Sequence, residues 1–555
     1  MKTVGIQSLK NHTFLRFLFL WTLVNVYQAY TTEITGDEAY YVLFSEHLDW
    51  GYFDHPPMVA LFIRVGRAIA GGALGVRLLA VLASSIGIAV MGSMIDRKDK
   101  IEMLVFMVLV GALPLFTVYG FIMTPDVPLL FFSSLFLWVV KRYLADDNRR
   151  NAVFLGILMA AILYSKYHGV LVMLFWVIAH PALFRRVSFY LASFLGFFLF
   201  LPHLWWQYEH GFVTFIYHLS GHSAADWHWG FVWEYLLYPV IVLSPLLAYF
   251  ILKAMATYRA NTSFEKMLLY LFWGVLGFFF LMSFKSHVEI HWIALIGLPV
   301  LLVVPAFYRD KASAKVVIRL GVVSAMLVFA MRILAVLPAV KEPRFHSNKA
   351  WAERIAEESE GQPVVFYGSY QWASLLAYYT PLESNSYNPY YYHNTQLDQW
   401  QMENKLRHKK VFFVSKQKQM GGKLFHTPKG EFYGYWIPDY YSLQGMKIDI
   451  LSADEEASPP VIRVKLTNPY DFPIDILDEQ YPLHFYIFYT NENGKVTSMP
   501  LKYTASKHLI PARQSIEIKW QLPGMQPGKY KVKIVFASPD HPPGMQSESI
   551  EITYR

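Results

Sequence analysis

Cysteine is absent from all 555 residues. A thiol nucleophile, a thiolate metal site and a disulfide framework are excluded together. Charge is scarce as well. Asp, Glu, Lys and Arg supply 16% of the chain and apolar residues 54%, whereas soluble proteins carry about a quarter charged residues. No internal repeat or low-complexity tract stands out, and no glycine-rich phosphate loop follows a strand, so no nucleotide cofactor is expected. The net charge of +8 is not gathered into a basic stripe interleaved with aromatics, which argues against a nucleic-acid partner.

What is present, up to about Leu337, is a series of long apolar runs. A helix needs roughly 20 apolar residues to cross a bilayer core. The candidate spans are Phe14–Tyr30, Ala73–Ile95, Met103–Met123, Val127–Val140, Asn151–Tyr164, Gly169–Phe184, Val187–Trp206, Phe231–Leu252, Met267–Phe284, Trp292–Tyr308 and Val316–Leu337. Several are short. The first lacks a small-residue cleavage site and reads as a retained anchor. The expected fold is a polytopic α-helical membrane protein of about eleven transmembrane helices.

Alternating sides from a cytoplasmic N-terminus (Lys2, Lys10, Arg16) sorts the basic residues. Arg97, Lys98, Lys100, Lys141, Arg142, Arg185, Arg186, Lys253 and Arg309, with other Lys and Arg, fall in cytoplasmic turns. The opposite loops hold Arg64, Arg67, Lys166 and Lys285, with Arg77 and Arg332 near outer helix ends. That is the positive-inside pattern, and an odd number of spans puts the chain after Leu337 outside. The acids Asp37, Glu38, Asp49, Asp54, Asp126, Glu209, Asp226 and Glu289 then share the outer side with His47, His55, His168, His210, His218, His222, His228, His287 and His291. Lys and Arg alone set the sides, so this gathering of carboxylates and imidazoles is independent information.

Residues 31–72 are too long for a simple turn. Tyr40, Tyr41, Phe44 and Leu48 keep helical spacing with Asp37 as a candidate cap, and a second helical run follows Pro56-Pro57. Two amphipathic helices along the membrane surface are expected. Beyond the spans, helical Asn348–Glu358, strand-like Pro363–Tyr367, a helix near Gln371–Tyr379 and strand Lys410–Ser415 suggest an α/β subdomain. Short alternating strands follow, at Ile448–Leu451, Val461–Thr467, His484–Tyr489, Ser515–Gln521 and Tyr530–Phe536, and read as a β-sandwich. The expected domains are 1–340 in the membrane, an extracytoplasmic α/β subdomain 341–443 and a C-terminal β-sandwich 444–555.

Candidate chemistry lies in the outer segments. Gly36-Asp37-Glu38 places two carboxylates after the first span, able to deprotonate a hydroxyl, hold a divalent metal, or cap a helix. Asp54-His55, stiffened by Pro56-Pro57, could take a metal or a phosphate oxygen, or cap a turn. Asp126 stands between Pro125 and Val127-Pro128, where an acid at membrane depth costs energy unless paired or functional. Lys285, His287 and His291 could neutralise a phosphate, with Glu289 orienting a ring or binding metal. Lys166, in Tyr164-Ser165-Lys166-Tyr167-His168-Gly169, could meet an anion or be a plain loop lysine. The stretch from Trp205 to His210 reads equally as an aromatic belt.

In order along the chain, these segments resemble the GT-C membrane glycosyltransferases. More narrowly they are similar to the dolichyl-phosphate-mannose protein mannosyltransferases and the bacterial aminoarabinose transferases of lipid A. The resemblance covers roughly residues 10–340 and rests on GDEAYY (36–41), HLDWGYFDHPPM (47–58), TPDVPLLFF (124–132), KYHGVL (166–171) and HVEIHW (287–292). It implies a polyprenyl-phosphate sugar donor and inverting transfer to an acceptor hydroxyl on a glycolipid, glycan or protein of the cell envelope. It implies Asp37 as catalytic base with Glu38 beside it, and Asp126 as the second acid. Asp54-His55 departs from the Glu-Lys pair that aminoarabinose transferases carry before the prolines. The donor phosphate is expected to meet His55, Lys166, Lys285, His287 and His291. Asp54, His55 and Glu289 are the candidate metal ligands. The expected location is the bacterial inner membrane, with a cytoplasmic N-terminus and a periplasmic C-terminal region.

Two other classes compete. A transporter would place ionisable groups near the bilayer midplane on broken helices in paired halves, and here they cluster at one surface. A polymerase or ligase of lipid-linked glycans would share the side and the donor chemistry but move a preassembled chain.

Overall fold

The computed structural model describes residues 12–96, 99–220, 227–337, 344–419, 421–454, 460–491, 494–503, 507–522, 524, 526–544 and 546–554. Lys2, Lys10, Arg97 and Lys98, used above to sort the two sides, and His222 and Asp226, assigned to the outer side, lie outside these residues. The chain forms two compact units, Met1–His346 and Ser347–Arg555.

The first unit is helical. Its helices are α1 (His12–Thr31), α2 (Gly36–Glu46), α3 (Met58–Ile69), α4 (Gly72–Gly92), α5 (Lys100–Ala112), α6 (Pro114–Val118), α7 (Asp126–Ala145) and α8 (Arg149–Ser165). They continue with α9 (Val170–Ala179), α10 (Val187–Glu209), α11 (Val213–Ser220), α12 (Trp229–Val242), α13 (Ala248–Thr257), α14 (Ser263–Ser283), α15 (Gly297–Phe307) and α16 (Lys311–Leu334). Among the described residues, six helical segments are long and apolar enough to cross a membrane: Gly72–Gly92, Asp126–Ala145, Val187–Glu209, Ser263–Ser283, Ile290–Phe307 and Lys311–Leu334. This is a multi-pass membrane protein.

Six is fewer than the expected eleven, and the backbone explains several of the differences. The Met103–Met123 run breaks where Leu113 turns extended before Pro114, because proline disfavours a helical residue before it and donates no hydrogen bond itself. The Phe231–Leu252 run breaks between α12 and α13, where Ser244 takes φ 66° ahead of Pro245. The α9 helix stops at ten residues, short of His180-Pro181. In contrast α7 and α8 outgrow the runs Val127–Val140 and Asn151–Tyr164, since their charged ends still accept helical geometry. The two amphipathic helices expected in residues 31–72 are α2 and α3. Asp37 is not the cap of α2: Thr35 is, in a capping box with Glu38.

Helices pack in a chain of neighbours, α1 on α4, α4 on α7, α7 on α8, α8 on α10, and α16 along α5. The α8–α10 contact is close because glycines face each other. A Cβ on Gly156 would lie 2.7 Å from the Ala192 carbonyl oxygen and 3.0 Å from Leu195 Cβ; one on Gly196 would lie 3.1 Å from the Gly156 oxygen. Small residues are how membrane helices approach without a hydrophobic force between them.

The second unit begins with α17 (Asn348–Glu358), α18 (Tyr370–Tyr379) and the short α19 (Gln396–Gln399) and α20 (Glu403–Leu406). Strands β1 (Val364–Tyr367), β2 (Ser384–Tyr387), β3 (Val411–Ser415), β4 (Lys423–Thr427) and β5 (Gly430–Ile437) form a sheet in the order β2-β1-β3-β5-β4. After it come β6 (Lys447–Asp454), β7 (Val461–Thr467), β8 (Ile474–Asp475), β9 (His484–Asn491), β10 (Val496–Leu501), β11 (Leu509–Ile510), β12 (Ser515–Gln521), β13 (Gly528–Ala537) and β14 (Ile550–Tyr554). They build the sheets β10-β9-β13-β14 and β12-β7-β6 and the ribbon β11-β8. The two larger sheets enclose one core that includes Val464, Ile487, Trp520 and Ile534. A buried Glu403 joins the α/β part to the sandwich. Its carboxylate accepts from the Gln444 and Gly445 amides at 3.0 and 2.8 Å and from the Ser442 and Tyr470 hydroxyls.

Gly156→Leu should force α8 and α10 apart and destabilise the helical unit by about 1–3 kcal/mol or more, read as a lower melting temperature and loss of the monodisperse peak in detergent. An unchanged melting curve would show that the helices tolerate separation.

Candidate functional site

The site starts from a charge buried in an apolar bundle. Arg77 of α4 and Glu38 of α2 are both 0% exposed. Arg77 grips Glu38 with two parallel bonds, Nε to Oε1 at 2.7 Å and Nη2 to Oε2 at 2.6 Å. Oε2 also accepts from the Thr35 amide and hydroxyl, both at 3.1 Å, and Oε1 from the Met123 amide at 3.0 Å. The remaining Arg77 hydrogens go to Thr32 O (2.8 Å), Thr32 Oγ1 (2.7 Å) and Glu33 O (2.8 Å). Such saturation is what makes a buried ion pair tolerable. Placed beside Asp37 among the candidate acids, Glu38 turns out to be fully occupied. It fixes the start of α2 and the turn before Asp126, and no lone pair points to an acceptor.

Asp126 opens α7 and is 2% exposed. Both its oxygens take Lys166 Nζ, at 2.8 and 3.0 Å, and that lysine is buried as well. Lys166 is therefore no loose loop residue. It holds the second acid, and its charge is felt by His168 two residues on. Lys166 caps the end of α8, ahead of a 3-10 turn over Tyr167–Gly169.

Residues 52–55 form a tight turn, Tyr52 N donating to His55 O at 3.0 Å. The turn is fastened from α11: Thr214 Oγ1 donates to Tyr52 O at 2.9 Å and His218 Nε2 meets Asp54 O at 3.0 Å. Asp54 Oδ1 is shut from solvent and meets no donor. That burial, with the repulsion of nearby Asp37, pushes the Asp54 carboxyl up to about 7. Burial likewise pushes the His218 imidazole below its ordinary range. The His55 ring stands against Tyr41 of α2 at 5.6 Å.

Imidazoles complete the cluster. His168 has a buried Nε2 with no hydrogen-bond partner, and Lys166, His291, His218 and His55 all bear on its ring electrostatically. Beside it, Tyr167 OH meets His203 Nε2 at 2.8 Å and Gln207 Nε2 at 3.0 Å, and His203 Nδ1 meets the Trp50 carbonyl at 2.6 Å. This network ties α10 to the first loop. Trp50, Met58, Tyr164, Phe198, Pro202 and Trp205 line an apolar groove of about 620 Å³ at α8 and α10, next to the Lys166 turn.

The candidate residues thus fall into groups. Asp37, Asp54, His55, Lys166 and His291 belong to one connected neighbourhood, with Asp126 bonded to Lys166. His287 stands between Glu234 of α12 (3.2 Å) and Glu289 (3.4 Å), while the charge of Glu289 reaches Lys166. Lys285 is exposed. Among the described residues no three His, Asp or Glu side chains gather as a metal site, so Asp54, His55 and Glu289 do not form the expected ligand set. The reason is visible in Glu289, which turns to His287, while Asp54 Oδ1 is buried without a partner. Arg77, His168, His203, His218 and Glu234 were not singled out as site residues from the sequence. The gathering of histidines on one side pointed at two of them, His168 and His218, while His203 lay inside an apolar run.

The family model for dolichyl-phosphate-mannose-protein mannosyltransferase matches residues 54–206, a stretch that carries Asp54, Asp126, Lys166 and both groove helices. Among solved structures, apo ArnT from Cupriavidus metallidurans aligns with TM-score 0.59 at 14% identity, covering 76% of this chain and 97% of that one. ArnT from the same organism bound to undecaprenyl phosphate aligns with TM-score 0.56 at 13% identity, covering 77% and 98%. No curated protein matches the sequence. The chain has the GT-C fold, the architecture of a class of membrane glycosyltransferases.

Arg77→Met should destabilise the helical unit by about 3–5 kcal/mol, the cost of stranding one partner of a buried pair, and adding Glu38→Gln should cost less than the two changes summed; unfolding of the purified single and double variants measures this. A second prediction concerns pH. Folded Asp54 binds its proton more tightly than the unfolded chain, so its contribution to stability is present at low pH and is lost as pH rises from 3.8 through about 7. The difference in melting temperature between wild type and Asp54→Asn should shift in favour of the variant across that window. A difference independent of pH would show that Asp54 ionises normally.

Proposed function

We propose that this chain is an inverting glycosyltransferase that moves a monosaccharide from a polyprenyl-phosphate donor to an acceptor hydroxyl on a glycolipid, glycan or protein. The site faces the outer side of the bacterial inner membrane, with the N-terminus cytoplasmic and the chain after Leu337 extracytoplasmic. The observation that carries the reading is one neighbourhood that brings Asp37 and Asp54 together with the Lys166 ammonium, itself bonded to Asp126, and the imidazoles of His55, His168, His218 and His291. The fold shared with a protein solved in complex with undecaprenyl phosphate supports the donor class.

The chemistry follows from the charges. Asp37 accepts the proton of the acceptor hydroxyl as its oxygen attacks the anomeric carbon. The bond from that carbon to the phosphate oxygen breaks on the opposite face, so configuration inverts. The electron pair leaves with the lipid phosphate, whose growing negative charge meets the Lys166 ammonium and imidazole N–H donors. Asp126 holds Lys166 in place. The apolar groove beside Tyr164 suits a hydrocarbon chain whose head lies at the Lys166 turn. His287, with Glu234 and Glu289, belongs to the rim of the same region.

Asp37→Asn should lower transfer by about 10²–10⁴-fold, the range for a positioned base, without changing the melting temperature. Purified protein given a monosaccharide-phosphate lipid and, separately, an oligosaccharide-diphosphate lipid identifies the donor. Full activity of folded Asp37→Asn would remove the assigned base, and turnover of only the diphosphate donor would replace the reading with a glycan ligase. Mass spectrometry of envelope glycolipids and glycoproteins from cells with and without the gene names the acceptor.

A further inference from the structure

One buried charge is left unused by this chemistry. Arg332, in the last turn of α16, is 8% exposed. Its Nε donates to Gln28 Oε1 and its Nη2 to Asn25 Oδ1, the latter at 2.8 Å. The guanidinium lies 4.9 Å from the Phe121 ring centroid and 5.4 Å from that of Phe329. Every partner is a neutral amide or an aromatic ring, and no carboxylate among the described residues pairs with it. Arg77, by contrast, is cancelled by Glu38.

Two donors remain over. Arg332 Nη1 and Asn25 Nδ2 are both buried with no acceptor, and Asn25 is 0% exposed. Since Asn25 Oδ1 bonds Arg332 Nη2, the two orphaned donors belong to touching groups. A buried N–H without an acceptor and a buried cation without an anion are each costly, and both deficits are met by one anionic oxygen group. Gly120 closes the inner side, where a Cβ would lie 2.8 Å from Asn25 Oδ1 and 3.0 Å from Nδ2.

The other side is lipid-facing. Helix α1 packs along α4 and α16 along α5, so the seam between α1 and α16 is spanned by these polar side chains. Around it Tyr27 is 61% and Tyr30 71% exposed on α1, and Met331 70% and Ile333 60% on α16. Exposed tyrosines at a helix end mark the headgroup level of a bilayer. We propose that the α1–α16 seam binds the phosphate of an anionic membrane phospholipid, with Arg332 Nη1 and Asn25 Nδ2 as its donors. The phosphate cancels the arginine charge while the acyl chains lie along the exposed faces of α1 and α16. Both donors are covered by protein, so binding includes a local opening of the seam. Phe121 lies against Arg332 on one side and within 5.9 Å of Arg77 on the other, which sets this lipid behind the Glu38–Arg77 pair and apart from the Asp126–Lys166 centre. The proposal stands independently of glycosyl transfer.

Native mass spectrometry and thermal unfolding of the full chain in mild detergent test it, with added phosphatidylglycerol, phosphatidylcholine, undecaprenyl phosphate or inorganic phosphate. Wild type should retain one phosphatidylglycerol selectively and melt higher with it. Arg332→Gln should lose that lipid. Asn25→Asp supplies a carboxylate in place of the phosphate, so it should fold without lipid and bind phosphatidylglycerol about tenfold or more weakly, at least 1.4 kcal/mol. Equal retention by wild type and Asn25→Asp, or equal retention of phosphatidylcholine, overturns the proposal. Equal protection by inorganic phosphate alone overturns the lipid as its source, and preference for undecaprenyl phosphate reassigns the seam to the donor.

Discussion

A carboxylate and a guanidinium can sit inside an apolar helical bundle only if each satisfies the other and nothing polar is left over. Glu38 and Arg77 meet that condition, and much of the site depends on how they do it. One carboxylate receives Arg77 from α4, the Thr35 cap of α2, and the Met123 amide from the turn that leads into α7. The position of Asp37 at the head of α2 and of Asp126 at the head of α7 are therefore set by the same pair of oxygens. The adjacent acids of the Gly36-Asp37-Glu38 motif divide their labour by direction. Glu38 turns into the core as a brace, and Asp37 bears electrostatically on Asp54 of the first loop.

A second buried pair repeats the principle with a different outcome. Lys166 and Asp126 are joined through an ammonium, which has three donors, and among the described residues its Nζ donates to the two Asp126 oxygens. An ammonium can turn toward a new anion without breaking a planar fork, as an arginine pair cannot. Around it stand imidazoles, which pack as aromatic rings while neutral and still offer an N–H to an oxyanion. His203 and His218 spend theirs on the Trp50 and Asp54 carbonyls and so shape the first loop. His168 has no such partner at Nε2. A chamber built this way concentrates potential cationic character without the repulsion that a set of lysines would bring.

The C-terminal unit follows simpler rules. Alternation along β7 and β12 puts Val464 and Trp520 inside and Arg463 and Lys519 outward, as a half-solvated antiparallel sheet requires. Several of the strands not read from the sequence are polar or begin at a glycine. Strand β2 reads Ser-Asn-Ser-Tyr, and its hydroxyls and amide are buried by neighbours such as Ala373, whose carbonyl accepts from Ser384. No hydrophobic period announces such a strand, because its burial comes from hydrogen bonding to distant segments.

The amino-acid order by itself determined the membrane class, the limits of elements such as α17, β7 and β12, and the co-location of acids and histidines, since all of these follow from local hydropathy, period and charge alternation. It also carried the motif string that points to GT-C transferases. It could not tell the two members of Asp37-Glu38 apart, identify Thr35 rather than Asp37 as the cap, or show that Lys166 belongs to Asp126. It gave no sign that Arg77 is paired while Arg332 is not. Apart from the local cap, those distinctions depend on which groups, 39 to 307 residues away in the chain, come within hydrogen-bonding distance. Only the folded bundle decides that, because the low dielectric inside it makes the partner, not the residue type, determine whether a charge is silent or available.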